Sequence, residues 1–518
     1  MKKIFTLLSA LIISSQLNAQ VFHKKYYFTN EIMNGQTSVV NNNRIYNASS
    51  STMAQGQLSI QKTDLAGNHI VTKTIVFGTS TPQIMIRKMI TAGDKLFIVG
   101  NINPASATDG LLLVLDTALT TPVIYSKSYG TAAGREDFYD ILQASNTDLV
   151  LVGHSTVPTS TVGVDRYLPF VVRVTAGTGN PVYQKIYDDG QSKMCFSVAE
   201  DAVNNSLFIS GAMQSVNSTH MFKITDDNLG NVLTAKNMYF TSQSLYVKKL
   251  QVYGSKVFMI GCDPNNNLMT VETDLTLSTL NMPKYYTNFK YHDMVKVGTK
   301  NYIAGLTLPT GTVSYLSSLR MDSLFNYEMG MTYSLVPVPL FVNWSEVNVV
   351  NRSNTMYWIA QEGWTAPVPY TNRYIVASDM ALNATCHTPI ILTTTNNINT
   401  TAMTSFTNPV NSYSVVNYNP NPGALTPTIT TLCSLTGIEN VNESFEKFVV
   451  KKGYDKIVIA SSHSDYTVNI FDLSGKLIST LNSNAELTEI STLTMSQGIY
   501  ILRLNARGYE QREKFVVQ

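Results

Sequence analysis

The chain has 518 residues, enough for several domains or for one large repeat array with a further module. Only 14% of the residues are charged, and 37 lysines and arginines nearly balance 35 aspartates and glutamates. Without a cationic surplus the chain is poorly suited to a phosphate backbone, so nucleic acid is excluded as the expected partner.

The N-terminus has the pattern of a secretory signal peptide. Lys2 and Lys3 precede an apolar run over residues 4–13, and a small residue, Ala19, follows a polar stretch. An apolar run of this length is too short for a lasting membrane anchor. The sequence predicts a signal peptide over residues 1–19, cleaved after Ala19. No later run reaches the length of a spanning helix, so we expect no direct membrane span.

The body of the chain repeats a unit of about 52 residues seven times. Each unit has an apolar strand that usually ends in Gly and, ten to twenty residues later, an alternating strand that usually ends in Asp. The second unit shows both marks, at Leu96–Gly100 and Leu112–Asp116. Two further strand-like runs separate one unit from the next.

Four short strands per unit, rich in β-branched and aromatic residues, are typical of a propeller blade. The sequence therefore predicts an all-β chain with a seven-bladed β-propeller over residues 20–390. Residues 24–29 resemble an outer strand but precede the first full unit, so we expect them to complete the last blade and close the ring. Eight blades, a solenoid, two stacked β-sandwiches or another β-repeat array remain open alternatives.

Residues 391–440 differ in composition, because half of them are Ser, Thr or Asn and Glu439 carries the only charge. We interpret this stretch as a partly ordered appendage and linker, with a divergent eighth blade as the alternative. Cys386 and Cys433 flank most of it and could pair as a disulfide in an exported protein. Cys195 and Cys262 lie in apolar runs, which favours buried free thiols.

Six or seven strand-like runs within residues 441–518 predict a small Ig-like β-sandwich. A turn at Asp472, Gly475 and Lys476 is followed by the run Gly498-Ile499-Tyr500, and the chain closes on Lys514 to Val517. In order, spacing and position this pattern resembles the type A C-terminal sorting domain of cargo of the type IX secretion system of certain Gram-negative bacteria. The resemblance implies recognition by the outer-membrane translocon and a secreted or surface-exposed protein that passes through the periplasm.

Motifs of catalysis and metal binding are missing from the sequence. There is no G-x-S-x-G elbow, S-x-x-K, H-E-x-x-H or EF-hand loop, so we expect no cofactor and no metal. A propeller usually binds ligands in or around its central channel. Runs ahead of the Gly strands should line that channel, which nominates eight residues: Arg87, Lys88, Asp140, Glu200, His292, Asp293, Trp344 and Glu346.

Three functions remain open on this reading. The leading hypothesis is a non-enzymatic binding or adhesion module for a glycan, a protein or matrix material. The second is a carbohydrate-active hydrolase or lyase in which two channel carboxylates act as acid and base. The third is a purely structural protein of a surface matrix.

Overall fold

A computed structural model gives the architecture of the protein. It describes residues 22–517 apart from these gaps: 30–32, 52–56, 78–82, 104–107, 121–122, 131–133, 159–164, 189, 214–217, 241–244, 280, 282, 308–314, 334–342, 365–369, 383, 385–386, 390–393, 396–399, 403–413, 418–420, 425–427, 434–448, 453–455, 461–465, 473–474, 484–486, 493–494 and 507–508. The predicted signal peptide lies outside the described residues. The chain divides into two compact units, Met1–Ser434 and Leu435–Gln518.

The first unit is built from antiparallel strands. Its first 28 strands are β1 Phe22–Thr29, β2 Met33–Asn41, β3 Arg44–Ser51, β4 Gln57–Asp64, β5 His69–Val76, β6 Gln83–Ala92, β7 Lys95–Asn103, β8 Asp109–Asp116, β9 Tyr125–Gly130, β10 Glu136–Gln143, β11 Leu149–Pro158, β12 Asp165–Val174, β13 Pro181–Ile186, β14 Lys193–Asp201, β15 Ser206–Met213, β16 Ser218–Thr225, β17 Val232–Phe240, β18 Tyr246–Tyr253, β19 Lys256–Cys262, β20 Leu268–Asp274, β21 Lys284–Tyr286, β22 Phe289–Val297, β23 Lys300–Thr307, β24 Tyr315–Met321, β25 Tyr327–Tyr333, β26 Asn343–Arg352, β27 Thr355–Trp364 and β28 Tyr370–Asp379.

These strands form repeated four-stranded antiparallel sheets, as the sequence predicts. Sheets 1 to 6 are the consecutive groups β2–β5, β6–β9, β10–β13, β14–β17, β18–β21 and β22–β25. Sheet 7 combines β26, β27 and β28 with β1, which pairs with β28 from Phe22 opposite Ala377 to Thr29 opposite Tyr370. The N-terminal strand therefore completes the last sheet.

Contacts between the sheets close into a ring. The first strand of each sheet contacts the first strand of the next, and β26 of sheet 7 contacts β2 of sheet 1. One apolar cluster lies between each pair of neighbouring sheets; between sheets 7 and 1 it contains Tyr26, Ile45 and Ile359. Burial of these apolar faces is the main force that holds successive sheets together.

A tyrosine hydroxyl repeats at these junctions. Tyr129 at the end of sheet 2 donates to Gly179 O of sheet 3 at 2.7 Å, and Tyr187 donates to Gly230 O at 2.8 Å. Tyr26 of β1 donates in the same way to Gly67 O of sheet 1. The strand that closes the ring thus makes the same junction as the interior sheets.

Strands from the Ser/Thr/Asn-rich segment extend existing sheets. They are β29 His387–Pro389, β30 Thr394–Thr395, β31 Thr400–Ala402, β32 Ser414–Asn417, β33 Asn421–Ala424 and β34 Thr428–Cys433. In chain order they add a fifth strand to the outer edges of sheets 6, 5, 4, 2, 1 and 7. The segment thus runs backwards around the ring, where it covers edges that would otherwise be open to pairing with other chains.

The six strands β29 to β34 are called the belt below. Two sequence interpretations concern this belt, namely the appendage with its alternative of an eighth blade, and the disulfide. Its described strands join the sheets of the ring and form no sheet of their own. Cys433 lies in β34 opposite His23, whereas Cys386 is outside the described residues, so the proposed disulfide stays a prediction. Cys195 and Cys262 are buried free thiols.

The second unit contains two sheets. Its strands are β35 Val449–Lys452, β36 Lys456–Ala460, β37 Tyr466–Asp472, β38 Leu477–Ser483, β39 Leu487–Ser491, β40 Gly498–Ala506 and β41 Tyr509–Val517. One sheet has the order β35-β36-β39 and the other β38-β37-β40-β41. Ile457 and Ile459 of the first sheet share an apolar core with Val468, Tyr500 and Phe515 of the second.

Candidate functional site in the central channel

A β-bulge interrupts the first strand of every sheet in the ring at corresponding positions. In sheet 2 it falls between Ile86 and Lys88, with Gly100 opposite. A Cβ added at Gly100 would lie 1.9 Å from Met85 O. Four more sheets have a glycine in this place, at Gly153, Gly211, Gly261 and Gly305. The repeated Gly of the sequence therefore makes room for a bulge, a device that re-aims side chains.

The bulged strands enclose a cavity of about 240 Å³ at the centre of the ring. Most of its lining comes from the bulges of sheets 2 to 6, and sheet 7 adds two residues. The lining residues are Arg87, Lys88, Tyr139, Asp140, Phe196, Lys248, Lys249, Lys290, Tyr291, His292, Asp293, Val347 and Asn348.

The cavity brings together five of the eight residues nominated from the sequence, namely Arg87, Lys88, Asp140, His292 and Asp293. Glu200 is not in the lining, and its Oε1 accepts a hydrogen bond from Ser145 N at 2.9 Å. Trp344 and Glu346 flank the bulge of β26, and their side chains are not among those the structure describes.

Both carboxylates of the lining are held by neighbouring sheets. Asp140 Oδ2 accepts hydrogen bonds from Ser197 Oγ at 2.8 Å and Val198 N at 3.1 Å. Asp293 Oδ2 accepts from Val349 N at 3.2 Å, and its Oδ1 lies 3.3 Å from Lys88 Nζ. The Lys88–Asp293 pair links sheet 2 to sheet 6 across the channel. These carboxylates therefore tie the first strands together.

Cations outnumber carboxylates in the described lining by five to two. Arg87 pairs with Asp137 at 2.8 Å, and its guanidinium lies 4.5 Å from the ring centroid of Tyr139. Lys248 Nζ lies 5.4 Å from the ring centroid of Phe196. Lys249 and Lys290 are half-buried, and among the described residues neither has a hydrogen-bond or ion-pair partner.

His292 is a neutral group in this cationic setting. Burial, with the charges of Lys290 and Lys248, lowers its pKa to about 3. Its Nε2 is buried and has no hydrogen-bond partner among the described residues. At neutral pH the imidazole is therefore an uncharged group in the lining of the cavity.

Sequence reasoning missed the other eight lining residues: Tyr139, Phe196, Lys248, Lys249, Lys290, Tyr291, Val347 and Asn348. A signal was present, because the bulged residue of sheets 2 to 6 lies 13 to 15 residues ahead of the repeated Gly. Counting back from Gly153 and Gly211 gives Tyr139 and Phe196, and counting back from Gly261 gives Lys248. The distance of 13 to 15 residues ahead of the repeated Gly therefore predicts which residue of each first strand lines the cavity, and this criterion does not depend on charge.

Buried histidines around the channel predict sensitivity to acid. Burial lowers the pKa of His154 to about 4, that of His292 to about 3, and that of His220 well below its usual value. Below pH 6.5 these histidines bind protons in the unfolded chain but stay neutral in the folded protein, so the free energy of unfolding falls as the pH falls. Between pH 7.5 and 5 we expect about 2 kcal/mol of lost unfolding free energy per histidine, measured by urea denaturation at both pH values.

A matched variant isolates one histidine. His154 packs between the rings of Tyr139 and Tyr167, at centroid distances of 5.6 and 5.0 Å. His154→Phe keeps an aromatic ring there but cannot titrate, so it should lose less stability between the two pH values than the wild type. An unchanged difference would contradict the assignment of acid sensitivity to His154.

Aspartates in two turns of the ring accept hydrogen bonds from backbone N–H groups of the same turn. Asp227 Oδ1 accepts hydrogen bonds from Leu229 N and Gly230 N, both at 2.8 Å. Asp263 Oδ1 accepts from Asn267 N at 2.7 Å. In the part of the chain that the structure describes, no group of three or more His, Cys, Asp or Glu residues could hold a metal ion.

The C-terminal unit brings the proposed sorting residues to one sheet. Asp472 Oδ1 accepts from Lys476 N at 3.0 Å, and Gly475 takes a φ of 84°, which glycine adopts without strain. On β40, Gly498 and Ile499 pair with Val517 and Val516 of β41. Tyr500 stacks on Phe515 at a ring-centroid distance of 5.5 Å, and Lys514 is exposed. The tail is thus an integral strand.

Within the described residues, no helix is long and apolar enough to cross a membrane.

Three solved structures are among those to which the fold of the chain is similar. The polysaccharide lyase Uly1 is 11% identical with a TM-score of 0.38, over 66% of this chain and 90% of the lyase. Trypanosoma rangeli sialidase with the inhibitor DANA is 11% identical with a TM-score of 0.32, over 67% of this chain but only 55% of the sialidase.

The third structure is the subtype N11 neuraminidase-like protein of A/flat-faced bat/Peru/033/2010 (H18N11). It is 8% identical with a TM-score of 0.32, over 68% of this chain and 89% of that protein. Similarity this low says nothing about ligand or reaction. No curated protein matches the chain in sequence.

The C-terminus has a specific match. The family model described as "Secretion system C-terminal sorting domain" matches residues 453–518. This range contains the turn at Asp472, the Gly498 strand and the Lys514 tail, so the resemblance predicted from these residues is confirmed. The C-terminal region therefore belongs to the sorting-domain family of the type IX secretion system, which implies that the protein is exported as cargo of that system.

Proposed function

We propose that the protein is a secreted or cell-surface binding module that holds a glycan in the central cavity of a seven-bladed propeller, with an Ig-like sorting domain for export. The observation that carries the proposal is the convergence of six bulged strands on one cavity. Bulges at matching positions in successive sheets are costly to a ladder and are typical of functional sites. At about 240 Å³ the cavity is smaller than the pockets of drug-sized ligands and suits a single sugar unit.

Aromatic side chains support a sugar ligand. Tyr139 and Phe196 are half-buried, and their rings meet edge to face at a centroid distance of 4.7 Å. Such rings offer rigid apolar faces to the C–H surface of a sugar, while the neighbouring cations and Asn348 offer polar contacts to its hydroxyls.

Binding is favoured over catalysis by the state of the titratable groups. Asp140 and Asp293 are occupied by hydrogen bonds that join the sheets. His292 has a pKa of about 3, far below the range in which a general base works at neutral pH. Burial raises the pKa of Tyr139, so its hydroxyl stays protonated. Among the described lining residues, this set is suited to hold a ligand and poorly suited to move a proton.

A hydrolase or lyase remains the second candidate, because the cavity lining contains two carboxylates, two tyrosines and a histidine. If the protein turned over a glycan, Asp140→Asn or Asp293→Asn would abolish product formation while leaving binding measurable. A structural matrix role is the third candidate and requires no ligand in the cavity.

A glycan array probed with the full mature chain tests the proposal. We expect saturable binding to one class of glycan. Phe196→Ala should weaken it about fivefold or more, the roughly 1 kcal/mol that marks an important contact. Tyr246→Ala is the matched control, because Tyr246 is an exposed aromatic residue outside the cavity lining. A blank array with folded protein would favour a structural role.

A further inference from the structure

We propose that the ligand of the central cavity is an acidic glycan, and that Lys249 and Lys290 bind its carboxylate or sulfate group. This inference rests on the proposed function, because it names the class of sugar that the same cavity takes. It begins from the balance of five cations and two carboxylates in the described lining.

Neither carboxylate of the described lining pairs with Lys249 or Lys290. Asp293 lies beside Lys88, and the lining residue Arg87 is already paired with Asp137 outside the lining. Asp140 is bound to Ser197 Oγ and Val198 N of sheet 4. Lys249 and Lys290 are left without an anionic partner among the described residues, although both are half-buried.

Lys249 and Lys290 bring positive charge to the cavity lining without an anionic partner among the described residues, and an anionic ligand group would supply that partner. Lys249 lies at the bulge of β18, and Lys290 lies on β22 of the neighbouring sheet. Lys248 adds a third positive charge at the bulge of β18. Burial lowers the pKa of His292, and the nearby positive charges of Lys290 and Lys248 lower it further. An anion is the ligand group that this wall stabilises.

Aromatic groups decide between a bare ion and an acidic sugar. Tyr139 and Phe196 line the same cavity, and their rings add apolar faces that an isolated sulfate ion does not need. His292 adds an uncharged polar residue to the same lining. The cavity therefore combines a positively charged subsite for an anion with apolar and neutral polar surfaces. This combination fits a negatively charged sugar.

Isothermal titration of the full mature chain tests this inference with four probes: a glucuronic acid tetrasaccharide, its glucose counterpart, a glucose 6-sulfate oligosaccharide and inorganic sulfate. We expect one or both acidic saccharides to bind at least about tenfold more tightly than the glucose one, with an affinity that falls as salt rises. Whichever acidic saccharide binds identifies the anionic group.

The variant Lys249→Gln with Lys290→Gln should lower that affinity roughly 10- to 100-fold, because each lysine supplies a charge-assisted hydrogen bond. Lys256→Gln with Lys300→Gln is the control. It removes the same charge from the same two sheets, but these lysines pair with Glu272 and Glu328 outside the cavity lining. The control should bind like the wild type.

Three results would overturn the inference, and they are distinguishable. Equal affinity for glucose and glucuronic acid oligosaccharides, or full affinity in the Lys249/Lys290 variant, would reject the acidic ligand but leave glycan binding intact. Inorganic sulfate bound as tightly as any saccharide would reject a sugar as the ligand. No binding of any saccharide by folded protein would contradict the proposed function itself.

Discussion

Truncation after Ser434 is expected to trap the protein in the periplasm. The cut falls at the boundary between the two compact units and removes the sorting domain at residues 453–518. The ring and its belt end at Cys433, so the truncated protein keeps every described strand of its first unit. Fractionation of cells into periplasm, outer membrane and medium, with a periplasmic marker protein, measures the result.

A shorter deletion would be harder to interpret. Removing Gly498–Gln518 also removes Tyr500, Leu502 and Phe515 from the core of the second unit, so misfolding and lost recognition would coincide. The converse experiment avoids this, since residues 435–518 fused to a periplasmic reporter should direct the reporter out of the cell. Normal export of the truncated protein would refute the sorting role.

Gly153→Ala is expected to destabilise the ring strongly. The new Cβ would lie 1.8 Å from Asp137 O, a backbone atom of the neighbouring strand, so the bulge of β10 would have to move. Overpacking that forces the backbone to shift costs on the order of 3 kcal/mol. Because Asp140 and Tyr139 sit at this bulge, ligand binding should fall as well. The midpoint of urea denaturation measures the first effect.

Gly177→Ala supplies the matched control on an exposed turn. Nothing lies within 4 Å of a Cβ built at Gly177, and its φ is not in the left-handed region. We expect a change within about 0.5 kcal/mol, as for most surface substitutions. Equal denaturation midpoints for the two variants would contradict the bulge as the reason for the repeated glycine.

Local sequence patterns were sufficient to predict the types of secondary-structure element and the export signal. Apolar alternation, Gly, and Asp at strand ends predicted strands and turns, because each reports a short-range property: side-chain period, permitted φ, or a carboxylate that caps a turn. Asp322 shows the last case, since its Oδ1 accepts from Leu324 N and Asn326 N at 2.8 Å. The tail that contains Gly498 and Lys514 is equally local, so its family could be recognised from the sequence.

The pairing of the belt strands with the edges of the sheets could not be predicted from local sequence patterns. Its strands are short, and each pairs with a sheet far away in the chain, as Asn421 does with Val76. Its composition of Ser, Thr and Asn shows little of the apolar alternation that marks a half-buried strand, apart from residues 413–418, where the alternation did predict the strand now seen as β32. Backbone hydrogen bonds to existing sheet edges hold it, and such bonds leave little trace in side-chain patterns.

The sequence by itself determined the repeat, the strands, the closing role of residues 24–29 and the export signal, because these depend on local periodicity and motif. Only the tertiary structure decided which side chains share the cavity and which of its charges have no partner among the described residues. Lys249 and Lys290 look like ordinary surface lysines in the sequence. They become a candidate anion site because bulges on neighbouring sheets bring them to one wall, while Asp140 and Asp293 are bound elsewhere.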